Sequence, residues 1–302
     1  MLFDKNTVDI ETLHDEIFKA HQVQVDILRL DRIHPVISGN KLFKLHYFLE
    51  EAIQSKHKTV LSFGGAFSNH LVATAYAGKQ EELKTIGIVR GEKPDHLSPG
   101  LQECLHYGMQ LQFISREAYA AKDDPVFINV LKKEWGEFLL IPEGGYHHIG
   151  AKGAAGIMEI IKDKDYSHIC TATGTATTLG GLLLAADPKQ TIIGINVLKG
   201  MIDVEERIKY LTGNAAKLNQ LIIWDGYHFG GYAKKTVPLL EFMNASWLQH
   251  SLALDFVYTA KMFFAVYDKI KQSFFPAGSR IICLHTGGLQ GNRSLPVESL
   301  LF

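Results

Sequence analysis

Residues 59–70 read Thr59-Val60-Leu61-Ser62-Phe63-Gly64-Gly65-Ala66-Phe67-Ser68-Asn69-His70. The first five suit a buried strand, the paired glycines break it, and a small polar cluster then opens a helix. A strand, a glycine turn and a helix start in succession form the unit of a parallel sheet with helices on its faces. The unit recurs along the chain. Short apolar strands are expected at 85–89, 111–114 and 138–141, separated by helix-length segments such as 99–107 and 125–135. The pattern begins again after Gly150, with strands at 167–171, 191–197, 221–224 and 280–284 and helices at 151–162, 176–186, 237–247 and 260–272. The fold class is therefore α/β: two open, mostly parallel sheets flanked by helices. No short-period repeat or low-complexity linker separates the two halves. Two such sheets joined directly enclose a site between them, past the carboxyl ends of their strands.

Composition narrows the function classes. The 302 residues are 46% hydrophobic and 21% charged, a globular balance, and a net charge of −1 calls for neither nucleic acid nor an anionic membrane. The start, Met1-Leu2-Phe3-Asp4-Lys5, lacks a basic stretch followed by an apolar run, so no signal peptide is expected. No apolar stretch is long enough to span a membrane. Cys104, Cys170 and Cys283 are far apart and odd in number, which points to buried thiols in a reducing, cytoplasmic compartment. The 14 histidines, His34, His57, His147 and His148 among them, show no H-x-x-x-H spacing and no carboxylate-rich cluster, so no metal site is expected.

Four segments carry possible chemistry. In Ser38-Gly39-Asn40-Lys41-Leu42-Phe43-Lys44-Leu45, Gly39-Asn40 reads as a turn and a helix begins near Lys41. The positive end of a helix disfavours an ammonium, which favours the neutral amine that Schiff-base chemistry needs. Lys44 lies further in and is expected to stay charged. The plain alternative is a surface lysine on a helix end. In the opening stretch, amides and hydroxyls near Ser68 could hold a carboxylate; the alternative is simple capping by Ser68 or Asn69. Cys170-Thr171-Ala172-Thr173-Gly174-Thr175-Ala176-Thr177-Thr178 runs from a strand into a helix rich in small residues. Free amides and hydroxyls converge there as a phosphate cradle, without the lysine of a Walker loop and without G-x-G-x-x-G. The alternative is a plain strand-to-helix turn. Finally, Asp255-Phe256-Val257-Tyr258-Thr259-Ala260-Lys261 precedes a helix and His285-Thr286-Gly287-Gly288 follows a strand. Both place hydroxyls where a ring nitrogen could meet them, and capping explains either one alone.

The collinear order G-N-K-x-x-K-L, G-G-x-x-S-N-H, T-G-T, D-x-V-Y-T-x-K and H-T-G-G resembles the D-cysteine desulfhydrase and 1-aminocyclopropane-1-carboxylate (ACC) deaminase family. The resemblance covers about residues 28–289. It implies a tryptophan synthase β-like fold, fold type II, with pyridoxal 5'-phosphate as cofactor and a small amino acid as substrate. It implies a large domain of residues 1–45 and 149–302, a small inserted domain of residues 46–148, and a homodimer. It makes Lys41 the Schiff-base lysine and Ser68, Asn69 and His70 the substrate-carboxylate segment, with Asn69 also beside the cofactor. Thr173, Gly174, Thr175, Ala176, Thr177 and Thr178 match the phosphate loop. Tyr258 matches one active-site tyrosine, and Phe229-Gly230-Gly231-Tyr232 resembles the segment carrying a second. Here the chain departs from the family, continuing with Ala233-Lys234-Lys235 in place of a glycine and a proline. It departs again at His34-Pro35, and at Ser38, where the family has the first of two glycines.

Within that family, ACC deaminases resemble one another in carrying Glu and Leu where this chain has Thr259 and Thr286. A hydroxyl beside the pyridine nitrogen leaves it largely unprotonated, a weaker electron sink that suffices when an α-proton and a good β-leaving group are present. The expected reaction is β-elimination, most readily of D-cysteine to pyruvate, ammonia and sulfide. ACC deamination is the alternative. Of another class are a non-catalytic small-molecule sensor on the same fold and an anion-binding α/β protein without cofactor.

Overall fold

The computed structural model describes residues 8–302; residues 1–5, read above for a leader, lie outside them. In chain order the strands are β1 (Ile10–Leu13), β2 (Gln24–Leu28), β3 (Thr59–Gly64), β4 (Lys84–Arg90), β5 (Gln110–Ile114), β6 (Leu139–Ile141), β7 (His168–Thr173), β8 (Thr191–Asn196), β9 (Leu221–Trp224) and β10 (Arg280–Leu284). The helices are α1 (Glu16–Ala20), α2 (Asn40–Gln54), α3 (Asn69–Gln80), α4 (Pro99–His106), α5 (Arg116–Ala120), α6 (Pro125–Trp135), α7 (His148–Ala155), α8 (Met158–Ile161), α9 (Thr177–Ala185), α10 (Val204–Thr212), α11 (Val237–His250) and α12 (Thr259–Lys271).

Two sheets result, as the alternation of strand and helix signals requires. The six-stranded sheet has the order β1-β2-β10-β7-β8-β9 and the four-stranded sheet the order β5-β4-β3-β6. Every neighbouring pair is parallel except β1 with β2. Helices cover both faces, so the parallel strands are buried on both sides. In β3, Val60 faces the cluster it shares with Phe48 of α2 and Ile157, while Leu61 and Phe63 face Tyr119 and Leu131. That alternation is the period of two of a strand.

Several helix starts follow local chemistry. Ser68 Oγ accepts from Leu71 N at 3.3 Å and caps α3, whereas Asp124 caps α6 ahead of Pro125. By contrast, α9 starts at Ala176 in the left-handed region with no side-chain cap.

Close packing places α2 and α9 around α7. A Cβ on Gly153 would lie 2.1 Å from the Phe43 carbonyl oxygen, and one on Gly181 would lie 2.5 Å from Ala154 Cβ. Only glycine permits such approach, so the starts of α2 and α9 lie side by side. The helix expected at 151–162 is two helices, α7 and α8. Tight bonds from Gly156 N to Gly153 O and from Ile157 N to Ala154 O interrupt it. Strands β1 and β2 and helices α1 and α10 were not expected. In β2 the buried Asp26, which accepts from the Tyr166 hydroxyl at 2.6 Å, interrupts the apolar run. Among the described residues no helix is long and apolar enough to cross a membrane.

Candidate active site

A cavity of about 400 Å³ opens where the carboxyl ends of β3 and β6 face those of β7 and β10. Its lining combines Ser68 and Asn69 after β3, Glu143 and Gly144 after β6, Gly174 to Thr178 after β7 and Thr286 after β10. In the four-stranded sheet, chain order reverses between β3 and β6, so their loops diverge and leave a crevice.

Lys41 enters from the first turn of α2. Gly39, at φ 73°, lets the chain turn into that helix; a Cβ there would lie 1.8 Å from the Thr286 carbonyl oxygen. The Lys41 amine stands 5.6 Å over the ring of Tyr258 and makes no hydrogen bond to a described protein group. Burial pushes its pKa down to about 8, against the pull of the Asp255 carboxylate. Desolvation is therefore the main cause of the depression, where the sequence pointed to the helix end. Lys44, expected to stay charged, is held in a setting that disfavours its charge. It is buried, its amine donates to the Gly144 carbonyl at 3.2 Å, and burial followed by the charge of Lys41 holds its pKa well below the usual lysine range.

His70 lies behind the carboxylate segment. Burial, then Lys44 and Lys41, push its pKa down to about 3, so the ring is neutral. Ser62 Oγ donates to the Ile141 carbonyl at 2.8 Å and lies 3.0 Å from His70 Nε2. With the serine proton committed, Nε2–H is the donor of that pair. Ser68 accepts from the helix it caps, which leaves its hydroxyl proton free for a ligand oxygen.

The segment after β7 is an uncapped helix start. The first amides of α9 have no intrahelical acceptor. Thr175 Oγ1 and Thr177 Oγ1 are 2.9 Å apart, and Thr178 Oγ1 accepts from Asn40 Nδ2 at 2.8 Å. Amides and hydroxyls at the positive end of a helix suit a phosphate dianion. With a free amine at Lys41, this donor set fits pyridoxal phosphate. Thr173 is not in the lining: its Oγ1 lies 2.8 Å from where a Gly194 Cβ would be, against β8.

Tyr258 and Tyr232 close the cavity, with ring centroids 6.3 Å apart. Burial, then Tyr232 and Asp255, push the Tyr258 phenol well up, so it keeps its proton. Asp255 fixes Tyr258 by accepting from the amides of Val257, Tyr258 and Thr259 at 2.9 Å. Thr259 belongs to the same cap: its hydroxyl donates to Asp255 Oδ1 at 2.7 Å and it lies outside the cavity lining. Of the two threonines weighed from the sequence, Thr286 alone lines the cavity.

The structure adds charged residues the sequence reading missed. Arg90, Lys122, Asp123, Glu143 and Arg207 line the cavity. Lys122 pairs with Asp123 at 3.2 Å, and Arg207 with Asp203 at 2.8 Å. Glu143 was legible in principle: Pro142-Glu143-Gly144-Gly145 follows a strand as Gly64-Gly65 does. Arg207 lies on α10, which was not expected. Among the described residues no group of three or more His, Cys, Asp or Glu could hold a metal ion.

No family model matches the chain. A provisionally named 1-aminocyclopropane-1-carboxylate deaminase of Thermotoga maritima is 29% identical, over 88% of this chain and 88% of that protein. The mitochondrial bifunctional D-cysteine desulfhydrase/1-aminocyclopropane-1-carboxylate deaminase of Arabidopsis thaliana is 28% identical, over 84% of this chain and 70% of its own. The crystal structure of an ACC deaminase homologue superposes with a TM-score of 0.81 at 26% identity, covering 94% of this chain and 90% of that one. Fold type II pyridoxal-phosphate enzymes are its structural neighbours. With the order of motifs and the geometry above, these likenesses make the chain similar to the ACC deaminase and D-cysteine desulfhydrase family.

Proposed function

We propose that this chain is a pyridoxal-phosphate-dependent lyase that converts D-cysteine and water to pyruvate, ammonia and hydrogen sulfide. The observation that carries the reading is the Lys41 amine. It makes no hydrogen bond among the described residues, is depressed to about 8, and lines the same cavity as the uncapped start of α9 and the protonated Tyr258. The residue-by-residue assignment and the division into domains at 45/46 and 148/149 belong to the same proposal. All four strands of the smaller sheet fall within residues 59–141, which supports that division. A homodimer in a reducing cytoplasm completes it, consistent with three buried free cysteines.

When bound, pyridoxal phosphate supplies an electron sink for the carbon that loses its α-proton. Lys41 would hold the cofactor, and its amine, when free, would take that proton on Nζ. A pKa near 8 suits an amine that must accept a proton near neutrality. Ser68 and the first amides of α3 would hold the substrate carboxylate, and Asn69, in the same lining, would help hold the cofactor. Thr173 to Thr178 form the phosphate segment, with Thr173 supporting it from behind. The Tyr258 phenol, kept protonated, donates to the departing sulfur. Thr286, the threonine of the pair that lines the cavity, would offer the cofactor a hydroxyl rather than a carboxylate. The released 2-aminoacrylate would hydrolyse in water to pyruvate and ammonia.

Deamination of ACC to 2-oxobutanoate and ammonia is the second reading, supported by the names of the relatives. Keto-acid release from D-cysteine, L-cysteine and ACC by the purified protein separates them. Pyruvate from D-cysteine is expected. Strong turnover of ACC with none of D-cysteine would overturn the choice. Visible absorption by the purified protein is expected if a lysine holds the cofactor, and its absence after incubation with pyridoxal phosphate would favour the sensor or anion-binding readings.

A further inference from the structure

Lys261 is a buried amine that the proposed reaction does not use. Its side chain is 0% exposed, and its Nζ donates to the Gly231 carbonyl at 2.8 Å. Gly231 is the residue before Tyr232, in a segment outside any helix or strand between β9 and α11. Phe229, Gly230, Gly231 and Ala233 all have positive φ there, at 49°, 95°, 128° and 52°. A segment with so many left-handed residues is not held by its own backbone preference. The amine reaches it from the first turns of α12, the helix whose Asp255 cap also sets Tyr258. One short stretch, residues 255–261, thus grips both tyrosines of the cavity, one through its own backbone and one through a distant carbonyl.

We propose that Lys261 is a positioning residue: its hydrogen bond to Gly231 holds the 229–232 segment so that Tyr232 faces Tyr258 and Lys41. The assignment of a role in turnover rests on the proposed lyase reading, but the tether itself does not. A buried donor is costly to leave unmatched, so the lysine and the carbonyl hold each other. Without the tether, Tyr232, 39% exposed at the cavity mouth, swings with a loop that continues into the exposed Lys234 and Lys235.

Those two lysines supply a probe independent of catalysis. Limited trypsin digestion of full-length protein, mapped by mass spectrometry, reads cleavage after Lys234 and Lys235. In K261M we expect cleavage there roughly tenfold faster than in wild type, with K261R, which keeps a donor, close to wild type. With D-cysteine or ACC, whichever is turned over, kcat of K261M is expected to fall on the order of 10- to 100-fold with little change in KM. The double variant K261M/Y232F should be no slower than Y232F alone. Wild-type cleavage in a folded K261M, or independent losses in the double variant, would overturn the proposal. Should K261M fail to fold, as its far-ultraviolet circular dichroism will tell, K261Q takes its place in both measurements. If the wild type binds no pyridoxal phosphate and turns over no amino acid, the lyase reading fails, and the proteolysis still decides the tether.

Discussion

Asn40 donates from Nδ2 to Thr178 Oγ1 across 2.8 Å, joining the first residue of α2 to the first turn of α9. The residue next to Lys41 and the loop that would hold a phosphate are therefore tied to each other directly, although 138 residues separate the partners. Replacing Asn40 by Ala leaves a buried hydroxyl unmatched, a cost of about 1–3 kcal/mol. We expect pyridoxal phosphate affinity to weaken about 5- to 100-fold. Titration of the apoprotein by absorbance checks this, and unchanged affinity would show that the bond does not set the cradle.

The turn before Lys41 is equally exacting. Gly39→Ala would force a side chain into the left-handed region and within 1.8 Å of the Thr286 carbonyl. The conformational part alone costs roughly 1–2 kcal/mol, and relief of the clash must move Thr286, the start of α2, or both. A lower melting temperature together with weakened cofactor binding is expected. Loss of stability with cofactor affinity intact would place the strain away from the site.

Lys44 makes a prediction with a sign. Its folded pKa lies below that of the unfolded chain, so the unfolded state binds more protons between the two values. The group is therefore most destabilising below its folded pKa, and that penalty shrinks as pH rises towards the unfolded pKa of about 10.4. Lys44→Met removes the penalty. Thermal unfolding of the apoprotein should show K44M gaining most over wild type at pH 7 and less at pH 10. An equal gain at both would mean that burial does not depress the Lys44 amine.

Attachment of the cofactor needs the neutral amine of Lys41. With a pKa of about 8, the rate of pyridoxal phosphate attachment to apoprotein should rise tenfold per pH unit below 8 and level off above it. Stopped-flow absorbance across pH 6 to 10 reads this directly. A rate still climbing steeply at pH 10 would contradict the depressed amine.

Much of this was legible from local chemistry. Ser68 before α3, Pro125 after a capping Asp124, and the Thr-rich run after β7 announced their helix starts without reference to distant residues. The two sheets followed from apolar runs such as 59–63 and 280–284. What escaped depends on tertiary placement. Asp26 sits inside a strand because Tyr166 reaches it from far along the chain. Lys44 is depressed by burial that no spacing reveals, and Lys261 bonds to a carbonyl 30 residues away. Thr259 and Thr286 look alike as sequence, yet the Asp255 cap takes one and the cavity takes the other.

The central claim is that Lys41, rather than Lys44, carries the cofactor. The two amines line one cavity, but Lys44 is tied to Gly144 while Lys41 is free. Borohydride reduction of pyridoxal-phosphate-loaded protein, followed by peptide mapping, settles which amine is bonded. The label is expected on Lys41, is expected to be lost in Lys41→Ala, and is expected to be retained in Lys44→Ala. A label on Lys44, or one that survives Lys41→Ala and disappears in Lys44→Ala, would contradict it.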